Sequence, residues 1–145
     1  MSQRKLTHGF SLIECLVALL VLSVGLLGVS KMLENSVHFS GTALVRSQAA
    51  NLAYDLADKI RANKDEAQAY AVGFDDEFDG APDCMLAPCS GAQMAQSDLS
   101  EWKTTLDRLL PEGEGMTAIG PSDATISVQW SYLGQQRSYS LVVAL

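Results

Sequence analysis

The sequence predicts an α+β protein in which one long N-terminal spine helix packs on a small antiparallel sheet. Three observations predict it. Residues 10–29 are an almost unbroken apolar run, helical periodicity then continues into the 60s without a proline, and residues 125–145 alternate polar and apolar on either side of a short turn. The chain has 145 residues, enough for one small domain and an appendage.

The apolar run reads FSLIECLVALLVLSVGLLGV from Phe10 to Val29, with Ser11, Glu14 and Ser23 as its polar members. At ~1.5 Å per residue such a run is about 30 Å long, the thickness of a bilayer core. Arg4 and Lys5 precede it and no comparable basic cluster follows directly. The positive-inside bias therefore expects a cytoplasmic N-terminus and an exported remainder: in a Gram-negative cell, a single pass of the inner membrane with a periplasmic C-terminal domain. Three readings compete for the segment. It could be a secretory signal cut near Gly28-Val29-Ser30, a plain anchor, or a span that is kept after a short basic leader is removed on its cytoplasmic side.

Glu14 decides among them. A carboxylate in an apolar helix costs roughly 2.5–3.5 kcal/mol at mid-bilayer and less near the edge, and membrane carboxylates usually have a partner. A signal peptide or simple anchor has no use for one, although four residues inside the run Glu14 could also snorkel or be protonated. The string Gly9-Phe10-Ser11-Leu12-Ile13-Glu14 resembles the prepilin cleavage motif: Gly, then Phe, then an apolar stretch with Glu at the fifth mature position. On this motif, joined to the basic leader and the uninterrupted apolar helix, the chain is similar to type IV pilins, and most like minor pilins of the PilV type. The resemblance implies that prepilin peptidase cuts after Gly9 and methylates the new amine of Phe10. It also implies that Glu14 pairs with the Phe10 amine of a neighbouring subunit. A buried carboxylate and ammonium offset each other's desolvation, and because they belong to different subunits the pair sets axial register. Cys15 could suggest lipidation, but such sites want a small residue before the cysteine and here it is Glu14; Cys15 reads as a small buried hydrophobe.

Beyond the membrane, Leu33, Val37, Leu44, Ala49, Leu52, Leu56 and Ile60 continue at helical spacing, with Gly41 the one glycine between Lys31 and Lys64. One helix from about residue 11 to the mid-60s is expected, apolar all round at first and then striped. Gly25, Gly28 and Gly41 weaken it locally. Its end, NLAYDLADKIRAN over Asn51–Asn63, resembles the run Asp-Leu/Met-Ala-Asp-Arg/Lys-Ile-Arg-Ala-Asn that recurs in PilV-type sequences. From the spacing alone its charges form a solvated face with i,i+4 pairs such as Asp55 with Lys59.

Glycines, prolines and acids over residues 72–97 predict a long irregular loop. It holds Cys84 and Cys89, which in an oxidising compartment read as a disulfide; a metal site, which wants further Cys or His nearby, and a redox pair are the alternatives. The run Asp75–Gly80 is acidic, but lacks the spacing of a calcium loop. Asp98, with Glu101 in capping-box spacing, is expected to open a second helix with Leu99, Trp102, Leu106, Leu109 and Leu110 as its apolar side and Pro111 as its stop. Met116–Ile119 reads as a short strand. Thr125–Tyr132 and Arg137–Leu145 read as a hairpin, with Ile126, Val128, Trp130 and Tyr132, then Tyr139, Leu141, Val143 and Leu145, facing the stripe at residues 44–60.

The net charge of −7 and the absence of a basic stripe argue against nucleic acid as a partner. No phosphate loop, H-E-x-x-H or nucleophile elbow occurs, and the histidines are His8 and His38, so neither an enzyme nor a cofactor is expected. The organisation expected is a cleaved leader (1–9), a transmembrane and filament-core helix (10–30), its amphipathic continuation (31–70) and a periplasmic globular part (71–145). The resemblance implies a minor pilin that supports pilus assembly, and so adhesion or twitching motility. Its partners would be other minor pilins, the major pilin, prepilin peptidase, the inner-membrane assembly platform and, before assembly, lipid. A minor pseudopilin of a type II secretion system, with the same N-terminus and fold, is the alternative.

Overall fold

The computed structural model describes residues 9, 11–78 and 80–145, with His38 described by its backbone alone. The basic pair Arg4 and Lys5, His8, Phe10 and Asp79 lie outside the described residues. Helix α1 spans Leu12–Ala62 and a 3₁₀ segment follows over Lys64–Tyr70. Helix α2 is Gly91–Leu109, and strands β1 (Glu114–Ile119), β2 (Asp123–Tyr132) and β3 (Gln135–Ala144) close the chain. The chain divides into two compact units, Met1–Gly41 and Thr42–Leu145, and α1 contributes residues to both.

In the first unit α1 is exposed throughout its described side chains, as an apolar helix without protein neighbours must be. By length and composition it is able to cross a membrane. Ser23 within the apolar segment and Ser30 just past it turn back on the helix: Ser23 Oγ donates to the Leu20 carbonyl at 2.8 Å and Ser30 Oγ to that of Leu26 at 2.8 Å. In lipid this satisfies hydroxyls that have no water to bond. The helix runs on through Gly25, Gly28 and Gly41 without interruption.

In the second unit the core is built on the C-terminal part of α1, where Ala49, Ala53, Leu56, Ala57 and Ile60 are buried and Val45 and Leu52 pack beside them. The alanines at 49, 53 and 57 form one i±4 ridge, low enough for neighbouring elements to come close. Leu44, expected in this stripe, is 61% exposed, because it falls one position off the ridge that Val45 occupies. Asn63 (φ −118°, ψ 41°) ends the α-helix, with Lys59 and Arg61 in its last turn, where cations suit the helix dipole.

Helix α2 begins earlier than the sequence reading expected. Its N-cap is Ser90, not Asp98: Ser90 Oγ accepts from Gln93 N (3.3 Å) and Gln93 Oε1 accepts from Ser90 N (2.9 Å), a complete capping box. Asp98 sits a full two turns inside, so the irregular loop is shorter by seven residues than 72–97, stopping at Ser90. The buried stripe is Ala95, Leu99, Trp102 and Leu106. Leu109 rotates off it and is 44% exposed, while Leu110, extended at the C-cap, turns back into the core.

The sheet is antiparallel in the order β1-β2-β3. Register pairs Thr117 with Ile126 and Ile126 with Leu141, which puts Ala124, Ile126, Val128 and Trp130 on the inner face. On β3, Val143 is buried while Tyr139 and Leu141 are half-buried. Leu133 and Gly134 form the two-residue hairpin loop with φ of 52° and 72°, the primed-turn geometry that matches strand twist. Gly115 on β1 lies directly beneath the Trp102 ring, where any Cβ would collide with it. Val72 makes a single bridge to Thr117, and Thr117 Oγ1 donates to the Tyr70 carbonyl, which satisfies this buried hydroxyl.

Candidate assembly site

Helix α1 opens with Glu14 in its first turn, where the amide of Glu14 and then that of Cys15 bond the Ser11 carbonyl (3.0 and 3.3 Å). The first-turn position favours a carboxylate, because the free N–H groups there carry partial positive charge. Glu14 is exposed, as are Leu12, Ile13 and Leu16 around it. Gly9 is exposed before the helix, with nothing within 4 Å of where a Cβ would stand. Phe10, the other residue of the motif, lies outside the described residues. Cys15 is a free, exposed thiol on the apolar helix.

In the second unit the NLAYDLADKIRAN segment performs a structural task that spacing alone did not reveal. Tyr70 Oη donates to Asp98 Oδ2 at 2.6 Å, and Asn63 Nδ2 donates to the Gly91 carbonyl at 2.8 Å and to Tyr70 Oη at 3.4 Å. Lys59 Nζ lies 2.8 Å from Glu101 and 3.7 Å from both Asp98 and Asp55. These groups tie the end of α1 and the 3₁₀ segment to α2. The i,i+4 pair Asp55–Lys59 is present, but Lys59 chiefly reaches across to the second helix. Burial pulls the Lys59 pKa down, yet Glu101, then Asp55 and Asp98, hold it above the ordinary lysine value.

Burial, and then the bond to Asp98, pushes the Tyr70 phenol up to about 12 from 10.0. A phenol whose folded pKa is raised stabilises the fold fully below its unfolded pKa, and that contribution is lost as pH rises through the folded value. Tyr70→Phe removes this alkaline dependence. In detergent, wild-type stability falls by about 1 kcal/mol more than that of the variant between pH 8 and about pH 10.5, by chemical denaturation. At neutral pH the variant is less stable by about 1–2 kcal/mol through the lost bond to a carboxylate. Equal slopes for both proteins would show that Tyr70 does not carry the dependence.

Cys84 and Cys89 are disulfide-bonded with Cα atoms 5.5 Å apart. A closed loop this short stabilises by roughly 2 kcal/mol in the chain-entropy account. Inside it, Met85 N donates to Asp83 Oδ1 (3.0 Å) and Leu86 N to the Asp83 carbonyl (3.2 Å), fixing a turn. The acidic stretch before it is tethered too. Asp76 Oδ2 accepts from Gly73 N at 2.6 Å, and Lys103 Nζ donates to the Gly73 and Phe74 carbonyls at 2.6 and 2.8 Å. Among the described residues no group of three metal-binding side chains is gathered.

An apolar helix, long enough to cross a membrane, carries one carboxylate in its first turn and continues into the core of a small α+β unit, an organisation that suits a membrane-anchored subunit. The prokaryotic N-terminal methylation motif matches residues 4–30, and the family described as Tt1218-like, type IV pilin Tt1218, matches residues 32–100. Over residues 4–30 and 32–100 the chain is thus similar to type IV pilins, a family of structural subunits that interact with one another and with prepilin peptidase. No curated protein and no solved structure matches the chain in the corresponding comparisons.

Proposed function

We propose that the protein is a minor pilin of the PilV type, made with a leader that ends at Gly9. Prepilin peptidase cuts after Gly9 and methylates Phe10. The mature chain spans the inner membrane once with its second unit in the periplasm, and passes from lipid into the pilus through the assembly platform. There it joins other minor pilins in priming assembly, and so supports adhesion or motility. One observation carries this reading: Glu14 stands five residues after Gly9, in the first turn of a helix otherwise fit for lipid. An exposed carboxylate there is costly alone and stabilised by a neighbouring subunit's Phe10 ammonium. The Asn51–Asn63 segment, which resembles PilV-type sequences, favours a pilus over a type II secretion pseudopilus.

The mature N-terminus tests the processing directly. Intact mass and N-terminal sequencing of protein from membranes will show a chain that starts at N-methylated Phe10. A start at Met1, or one beyond Val29, would remove the reading.

A further inference from the structure

Several large apolar side chains of the second unit stay exposed, Leu44, Leu133 and Val142 among them, and the two most exposed are adjacent. Met85 is 97% and Leu86 85% exposed, side by side at the tip of the Cys84–Cys89 loop. The loop is held by its disulfide and by the two Asp83 bonds, so these side chains are displayed on a fixed turn. A shallow groove of about 290 Å³ beside Met85 is lined by Pro82, Asp83 and Glu101, the last of which also pairs with Lys59.

We propose that this loop is an apolar contact knob that seats in a cleft of a different pilin subunit, one whose cleft is bordered by arginine or lysine. Preorganisation supports contact use, because little ordering entropy remains to be lost on binding. Charge selects the partner. Residues 42–145 carry fifteen Asp and Glu against seven Lys and Arg, so a second copy of this chain would oppose acid with acid. A basic border instead lays its methylene stem along Met85 and Pro82 and its charged end against Asp83 and Glu101. The inference rests on the chain's being a pilin, and goes beyond processing and the spine in assigning a surface of the second unit to a heterotypic neighbour.

The test is photo-crosslinking of the full-length protein in piliated cells, with p-benzoylphenylalanine at position 85 and, separately, at position 17 in the spine. The expected product at position 85 is an adduct with another pilin, identified by mass spectrometry. Leu86→Ser lowers its yield at least about tenfold, the equivalent of ~1.4 kcal/mol. Asp83→Asn, which keeps the oxygen that accepts from Met85, lowers it as well. Neither change alters the melting temperature, since neither side chain is in the core. A position-85 adduct with a second copy, with a non-pilin protein, or no adduct while position 17 crosslinks to pilins, overturns the knob and leaves the pilin assignment intact. Failure at both positions overturns the filament reading itself.

Discussion

Glu14→Leu leaves the protein in the membrane and takes it out of filaments. The substitution removes a side chain that costs up to roughly 2.5–3.5 kcal/mol in lipid, so insertion of the helix improves. Assembly then loses the one charge in the described apolar span that can hold a neighbour's amine at a fixed axial height. The filament-associated fraction is expected to fall at least about tenfold, a coupling of ~1.4 kcal/mol or more, while the membrane fraction is unchanged or larger. Glu14→Asp, one methylene shorter, recovers part of the loss. Sheared-filament and membrane fractions, compared by immunoblot, make the measurement. Filament incorporation of the leucine variant at the parental level would show that Glu14 has no part in subunit contact.

Trp102→Ala carries the largest expected cost to the folded unit. Its ring is 2% exposed, lies against Gly115, and donates its indole N–H to the Leu52 carbonyl of α1 at 3.0 Å. Truncating a buried Trp costs about 3–5 kcal/mol, a large share of the ~5–15 kcal/mol that holds a domain together. The variant is expected to be cleaved within the second unit by protease concentrations that leave the parent intact. Trp102→Phe keeps most of the packing and gives up the hydrogen bond, at about 1 kcal/mol. If the alanine variant melts within a few degrees of the parent, the ring is not a keystone of this core. The stripe Leu99, Trp102 and Leu106 then needs another explanation.

The fold was legible in the sequence where patterns are long. Twenty apolar residues with an acid near their start, and the alternation of Thr125–Tyr132, each leave one structure consistent with burial. The reading failed where one residue type serves two purposes. Asp98 and Glu101 have capping spacing, yet the cap is Ser90 with Gln93, because Asp98 is engaged as acceptor for a tyrosine 28 residues earlier. A bond of that sequence separation has no local signature. The alanines at 53 and 57 were passed over for a similar reason: small residues score weakly in a hydrophobic pattern, although close approach of neighbouring elements depends on them. At the candidate assembly site, Gly9, Phe10 and Glu14 could be proposed from the sequence alone because motif spacing is a one-dimensional property. The exposure of Met85 and Leu86 was not, since an apolar pair inside a cysteine loop reads equally as core.

The contacts that join α1 to the rest of the second unit have a mechanical consequence. The Leu52 carbonyl bound by Trp102, the Arg61 Nε that donates to the Ala144 carbonyl at 3.3 Å, and the Asn63 amide bound to Gly91 are strung out along the helix axis. Tension drawn along that axis loads them in shear, all at once, together with the alanine ridge between them. Rupture then requires simultaneous failure of several bonds instead of peeling one after the next.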